Sequence, residues 1–143
     1  MRLHGDREPK PKGQPTAAGG DNEIWSYGDE IYEICKKYIS IREQLRDYTR
    51  DLMKQAHEKG TPVIRPMFYE FPKDERAWTV ETQYMYGSKY LVAPVFKAQQ
   101  RKSKVYLPAG AQWKSWDGKD SHEGGQTVEV DAPIDTMPVF VRS

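Results

Sequence analysis

Residues 60–74 read GTPVIRPMFYEFPKD, and the rest of the chain is best understood from this stretch. It is apolar and rich in strand-forming residues, which predicts a strand over 61–71. Pro62 stands at its start and Pro66 inside it. An internal proline removes a ladder hydrogen bond, so the strand should be irregular at Pro66 or have a free edge there. Arg65 lies within the apolar run. A buried arginine requires a carboxylate, and a structural ion pair with Glu70 or with a residue outside this chain is expected. The charged residues from Pro72 to Arg76 read as a turn, and Trp78 to Tyr86 as a short helix ending at Gly87.

Upstream, Ile31, Ile34, Tyr38, Ile41, Leu45, Tyr48, Leu52 and Ala56 recur at steps of three and four. They form one apolar stripe on a helix expected over 26–59. Ser26 would cap it, with Asp29 three residues on, and Gly60 would take the left-handed position at its end. Such a length needs a large partner surface or a break near Ser40. Residues 1–24, including KPKGQPTAAGG at 10–20, read as loop.

Downstream of Tyr90 the pattern changes to short strands: YLVAPVF, KVYLP, QWKSW, TVEVDAP and MPVFV. They are separated by QQRKS, PAGA, DGKDSHEGG and IDT. This spacing predicts an antiparallel β-sandwich portion beginning near residue 89. The resulting fold class is α+β, with a boundary near residue 88.

Composition excludes several function classes. Thirty per cent of the 143 residues are charged, yet the net charge is only +1, so nothing favours nucleic acid or an anionic membrane as partner. The first residues lack the apolar core of a signal peptide, and no apolar run reaches membrane-spanning length. Cys35, the single cysteine, forms no internal disulfide and reads as a half-buried helical residue. A soluble, cytoplasmic location is the expectation. His4, His57 and His122 are far apart and lack metal-ligand spacing, so no metal and no cofactor is expected. Trp113 and Trp116 have rings suited to stacking on a sugar. Residues three apart on a strand face opposite ways, so at most one could serve as a platform, and the core is the stronger assignment for such rings.

Four further segments carry a resemblance: QYMYGSKYLVAPVF (83–96), VYLPAGAQWKSWDG (105–118), VDAPIDTMPVFVRS (130–143) and IREQLRDYTRDLMKQAHEKG (41–60). Together with residues 60–74 and Arg2-Leu3-His4-Gly5, they follow in order and spacing the closing part of glycoside hydrolase family 31, the α-xylosidases and α-glucosidases. The resemblance implies that residues 1–88 are the last helix and strand of a catalytic (β/α)8 TIM barrel. Residues 89–143 would begin the proximal β-sandwich domain, incomplete and with an unpaired edge.

Members of that family are retaining α-glycosidases, in which two carboxyl groups flank the scissile bond. The resemblance places both catalytic aspartates upstream of the R-x-H-G segment, so no catalytic residue is assigned in this chain. It makes His4 the substrate-binding residue, with Arg2 in support. Imidazole suits a sugar hydroxyl because it both donates and accepts near neutral pH. Asp6, Glu8, Glu70 and Asp74 are the carboxylates available as an alternative pair. None matches a catalytic position of the family, and each reads as solvated surface. The expected function is a C-terminal fragment of an α-glycosidase, inactive alone, whose substrate is an α-linked oligosaccharide or glycoside once the barrel is complete. Self-association and a separate chain supplying the missing barrel are the expected protein contacts. The alternatives are one half of a split glycosidase and a non-catalytic β-sandwich module binding carbohydrate or protein.

Overall fold

The computed structural model describes residues 23–143. The chain divides between Asp47 and Tyr48 into two compact units. In the first, a 3-10 turn at Ile24–Tyr27 precedes helix α1, Asp29–Gln44. Ser26 does not cap this helix. It lies inside the 3-10 turn, where its Oγ donates to Glu23 Oε2 at 3.2 Å, and Gly28 (φ 87°) occupies the N-cap position. Asp29 and Glu30 in the first turn still face the positive end of the helix dipole.

The expected helix over 26–59 is two helices. The interruption falls at Leu45 (φ −85°, ψ 3°) rather than near Ser40, and α2 runs Arg46–Lys59. Every residue of the predicted apolar stripe is half-buried or buried, Leu52 being the most buried. Gly60 (φ 67°) closes α2 in the left-handed conformation, its N–H donating to Ala56 O at 3.0 Å.

The β elements are β1 (Ile64–Arg65), β2 (Tyr84–Tyr86), β3 (Tyr90–Val92), β4 (Lys102–Leu107), β5 (Gln112–Ser115), β6 (Ser121–Glu123), β7 (Gln126–Asp131) and β8 (Val139–Arg142). Six form one antiparallel sheet in the order β1-β2-β3-β8-β5-β6, and β4 pairs with β7 in a second. The fold is thus mixed α and β with mostly antiparallel sheet. The larger sheet runs through residue 88, since β1 and β2 precede it and pair onto β3.

Two local expectations change. The strand expected over 61–71 lasts two residues. Pro66 (φ −62°, ψ 154°) has no N–H for the ladder, and the chain turns at once into α3, Met67–Glu70. Residues 78–86 are not a helix. A 3-10 turn ends at Trp78, and Tyr84–Tyr86 extend as β2 before Gly87 (φ 60°). Gly87 is required, because a Cβ there would strike Tyr48 Oη and both Leu52 methyls.

Met67, Phe71, Met85, Leu91, Val105, Leu107, Trp113 and Phe140 form the core between the two sheets, with Val128 and Val130 of β7 packed against it. Along β4, Ser103, Val105 and Leu107 alternate inward, as the pleat demands. Trp113 is fully buried, and its Nε1 donates to Pro108 O at 3.0 Å, which satisfies the indole while its ring fills the core. Its substitution by alanine would cost about 3–5 kcal/mol.

Candidate functional site

A polar cluster surrounds the Arg-Pro step and the E-F-P-K-D segment after it. Pro66 ends β1 and starts α3, and that single turn swings Glu70 back toward Arg65. Arg65 Nη1 bonds Glu70 Oε1, and Arg65 Nε donates to Pro62 O at 2.7 Å. Arg142 of β8 reaches the second oxygen, Glu70 Oε2, at 3.5 Å, and its guanidinium lies 4.8 Å from the Phe71 ring centroid. The side chains of Arg65 and Glu70 are only 7% and 12% exposed. Glu70 is therefore not solvated surface. It bridges two arginines and joins β1 to β8.

Asp74 is similarly occupied. Its Oδ2 accepts from Tyr106 Oη at 2.6 Å and from the Ala109 N–H at 2.9 Å, and its Oδ1 accepts from the Arg76 N–H at 3.1 Å. Burial pushes the Asp74 carboxyl up, but the bonds from Tyr106, Ala109 and Arg76 together outweigh it and hold it below its ordinary value. Burial, and then the Asp74 bond, drive the Tyr106 phenol up to about 12. The Arg76 guanidinium stacks 4.7 Å from the Tyr106 ring. An ionised carboxylate whose oxygens already accept three bonds has no proton to donate, and a phenol raised this far keeps its own near neutral pH.

Between these clusters lies a hollow of about 440 Å³ lined by Glu70, Phe71, Pro72, Lys73, Asp74, Ala109 and Gly110. Both of its carboxylates are those already bonded. His57 lies in the last turn of α2 and His122 on β6, where its ring meets Phe140 edge-on at 5.9 Å. Among the described residues, no group of three His, Cys, Asp or Glu is placed to hold a metal, and no helix is long and apolar enough to cross a membrane. His4, Arg2, Asp6 and Glu8 lie outside the described residues. Trp113 belongs to the core, whereas Trp116 is 41% exposed and tilts against Tyr90 at 5.4 Å.

Sequence reasoning missed the bond network of Asp74. The available signal was an aspartate placed just before a helical turn, a position that commonly accepts from the backbone two residues on. It also missed Gln83, whose side chain pairs with Tyr106.

Residues 60–143 match the model of the Glycosyl hydrolase family 31 C-terminal domain. Among solved structures, a family 31 α-xylosidase from a soil metagenome, complexed with xylose, superposes with a TM-score of 0.86 at 43% identity, over 99% of this chain and 21% of that one. α-Xylosidase A of Aspergillus niger is 34% identical over 98% of this chain and 20% of its own length. α-Glucosidase 2 of Bacillus thermoamyloliquefaciens is 34% identical over 84% of this chain and 15% of its own length. The chain thus spans a fifth or less of the length of these curated relatives.

Proposed function

Because the chain belongs to glycosyl hydrolase family 31, we propose that it supplies the C-terminal part of a retaining α-glycosidase and hydrolyses nothing alone. The observation that carries this reading is the state of the two carboxylates that line the hollow, Glu70 and Asp74. Retaining hydrolysis needs one carboxylate free to attack and one carboxylic acid free to donate. Glu70 is held between two arginines, and Asp74 is an ionised acceptor of three bonds. The reacting pair comes from a barrel, and the bonds of Glu70 and Asp74 hold together the domain on which that barrel rests.

The substrate in this reading is an α-linked xyloside or glucoside, by analogy with the relatives. His4, with Arg2 in support, is the sugar contact that the R-L-H-G match assigns. In this reading residues 1–88 are the end of the catalytic barrel, with α1, α2 and β1 as its described helices and strand. Three features near the Arg-Pro step support a missing polypeptide neighbour. β1 is an edge of the sheet, Ile64 on it is 60% exposed, and Thr61 Oγ1 is buried without a hydrogen-bond partner among the described residues. A chain supplying the barrel would cover them, and in its absence self-association through the same edge is expected.

The test is hydrolysis of nitrophenyl α-xyloside and α-glucoside, first by the folded chain and then after mixing with the barrel portion of a related α-xylosidase. No turnover alone and turnover on mixing support the reading. Turnover by the chain alone would overturn it, and if neither Glu70→Gln nor Asp74→Asn removed that turnover the search would move to Asp6 and Glu8.

A further inference from the structure

Trp78 is 59% exposed and yet held rigid. Its Nε1 donates to Pro72 O at 3.0 Å, and Phe68 stacks on one ring face, with centroids 4.8 Å apart and planes within 14°. One face is thus backed by an aromatic ring and the indole N–H is fixed, which leaves the opposite face to solvent. A surface tryptophan with no role would cost nothing by moving freely, whereas this one presents a flat, oriented apolar plane.

Its surroundings are polar in a specific way. Trp78 ends the 3-10 turn Glu75–Trp78, and in a 3-10 helix side chains three apart eclipse one another. Glu75 therefore projects on the same side as Trp78. Glu75 is exposed, and among the described residues no hydrogen bond or ion pair engages its carboxylate. The other carboxylates of this segment, Glu70 and Asp74, are consumed by the bonds described above. A rigid aromatic plane beside one free carboxylate matches an uncharged ring with an apolar C–H face and hydroxyls on its rim. Lys73 and Arg76, close in sequence, oppose a cationic ligand.

We propose that Trp78, backed by Phe68 and flanked by Glu75, is a pyranose-binding platform: a sugar ring stacks on the open indole face and donates hydroxyl hydrogen bonds to Glu75. The choice of a sugar as ligand rests on the glycosidase reading. The binding itself needs no catalytic barrel, so hydrolysis on mixing and sugar binding by the chain can fail separately.

The experiment is an NMR titration of the full 143-residue chain, labelled with ¹⁵N, using maltotriose and methyl α-xyloside as probes. The expected result is a saturable shift of the Trp78 indole N–H and of the backbone N–H groups from Glu75 to Thr79, with the Trp113 indole unmoved. Trp78→Ala should abolish the saturable shifts in that segment. Glu75→Gln, which leaves the ring and its supports intact, should weaken binding about threefold to tenfold. Absence of a saturable shift at millimolar sugar overturns the proposal, as does undiminished binding in Trp78→Ala. Concentration-dependent broadening of the Trp78 signal that sugar does not relieve would also overturn it, making this face a contact between copies of the chain.

Discussion

Gln83 bonds Tyr106 through both atoms of its side-chain amide: Nε2 donates to Tyr106 O at 2.6 Å, and the Tyr106 N–H donates to Oε1 at 2.9 Å. The side chain takes the place of a neighbouring strand residue, and it does so inside the core. Gln83→Leu would leave a buried N–H and a buried C=O unpaired. Each orphan costs about 1–3 kcal/mol, so a loss of roughly 2–5 kcal/mol is expected in urea denaturation. A loss below about 1 kcal/mol would mean that water replaces the amide.

The Arg65–Glu70–Arg142 cluster makes a second prediction. Glu70→Gln removes the charge that neutralises a buried guanidinium and should cost about 3–5 kcal/mol. Replacing Arg65 by Met and Glu70 by Leu together should cost far less than the two single changes added. A double-mutant cycle measures the difference, and additive costs would mean that the pair is uncoupled.

Stability should depend on pH at both ends through Asp74 and Tyr106. The folded-state Asp74 carboxyl is depressed, so its contribution is present above the unfolded value of 3.8 and lost as pH falls through the lower folded value. The Tyr106 phenol is raised, so its contribution is intact below pH 10 and lost as pH climbs toward about 12. Asp74→Asn should flatten the acid limb of a stability profile and Tyr106→Phe the alkaline limb. Unchanged limbs would assign the dependence to other groups.

Gly124 turns the chain between β6 and β7, and a Cβ there would collide with Pro108 O and approach Ala111 O at 2.7 Å. Those atoms are backbone and cannot step aside. Gly124→Ala should therefore destabilise by at least about 1–3 kcal/mol. Gly118→Ala, where a Cβ meets nothing within 4 Å, isolates the conformational cost of a positive φ alone. Thermal denaturation of the two variants separates collision from strain.

Much of this was legible beforehand. The burial of Arg65 against Glu70 follows from placing an arginine in an apolar run, because an unpaired buried cation is too costly. Gly60 was readable from its position after the last helical stripe residue, and the strands from Tyr90 onward from their alternation. What escaped was decided by partners distant in sequence. Tyr84–Tyr86 extend because Ile64–Arg65 and Tyr90–Val92 flank them. Ser121–Glu123, read as part of a loop, become strand β6 by pairing with Gln112–Lys114. The single helical turn after Pro66 exists because the ladder cannot pass the proline, while Arg65 draws Glu70 inward. His4, the one sugar contact drawn from the sequence, lies outside the described residues, so its role depends on the complementation experiment.

The position of β8 also has a consequence during synthesis. It follows the other described strands in the sequence, yet it sits between β3 and β5 in the larger sheet. Until Val139–Arg142 leave the ribosome, β1-β2-β3 and β5-β6 share no ladder, and the nascent domain carries two further open strand edges, at β3 and β5. Long-range pairings of this kind are slow to form and expose edges to other chains. A chain lacking Val139–Arg142 would keep its larger sheet in two pieces, so cellular yield should be far more sensitive to deletion of this strand than to deletion of a loop of equal length.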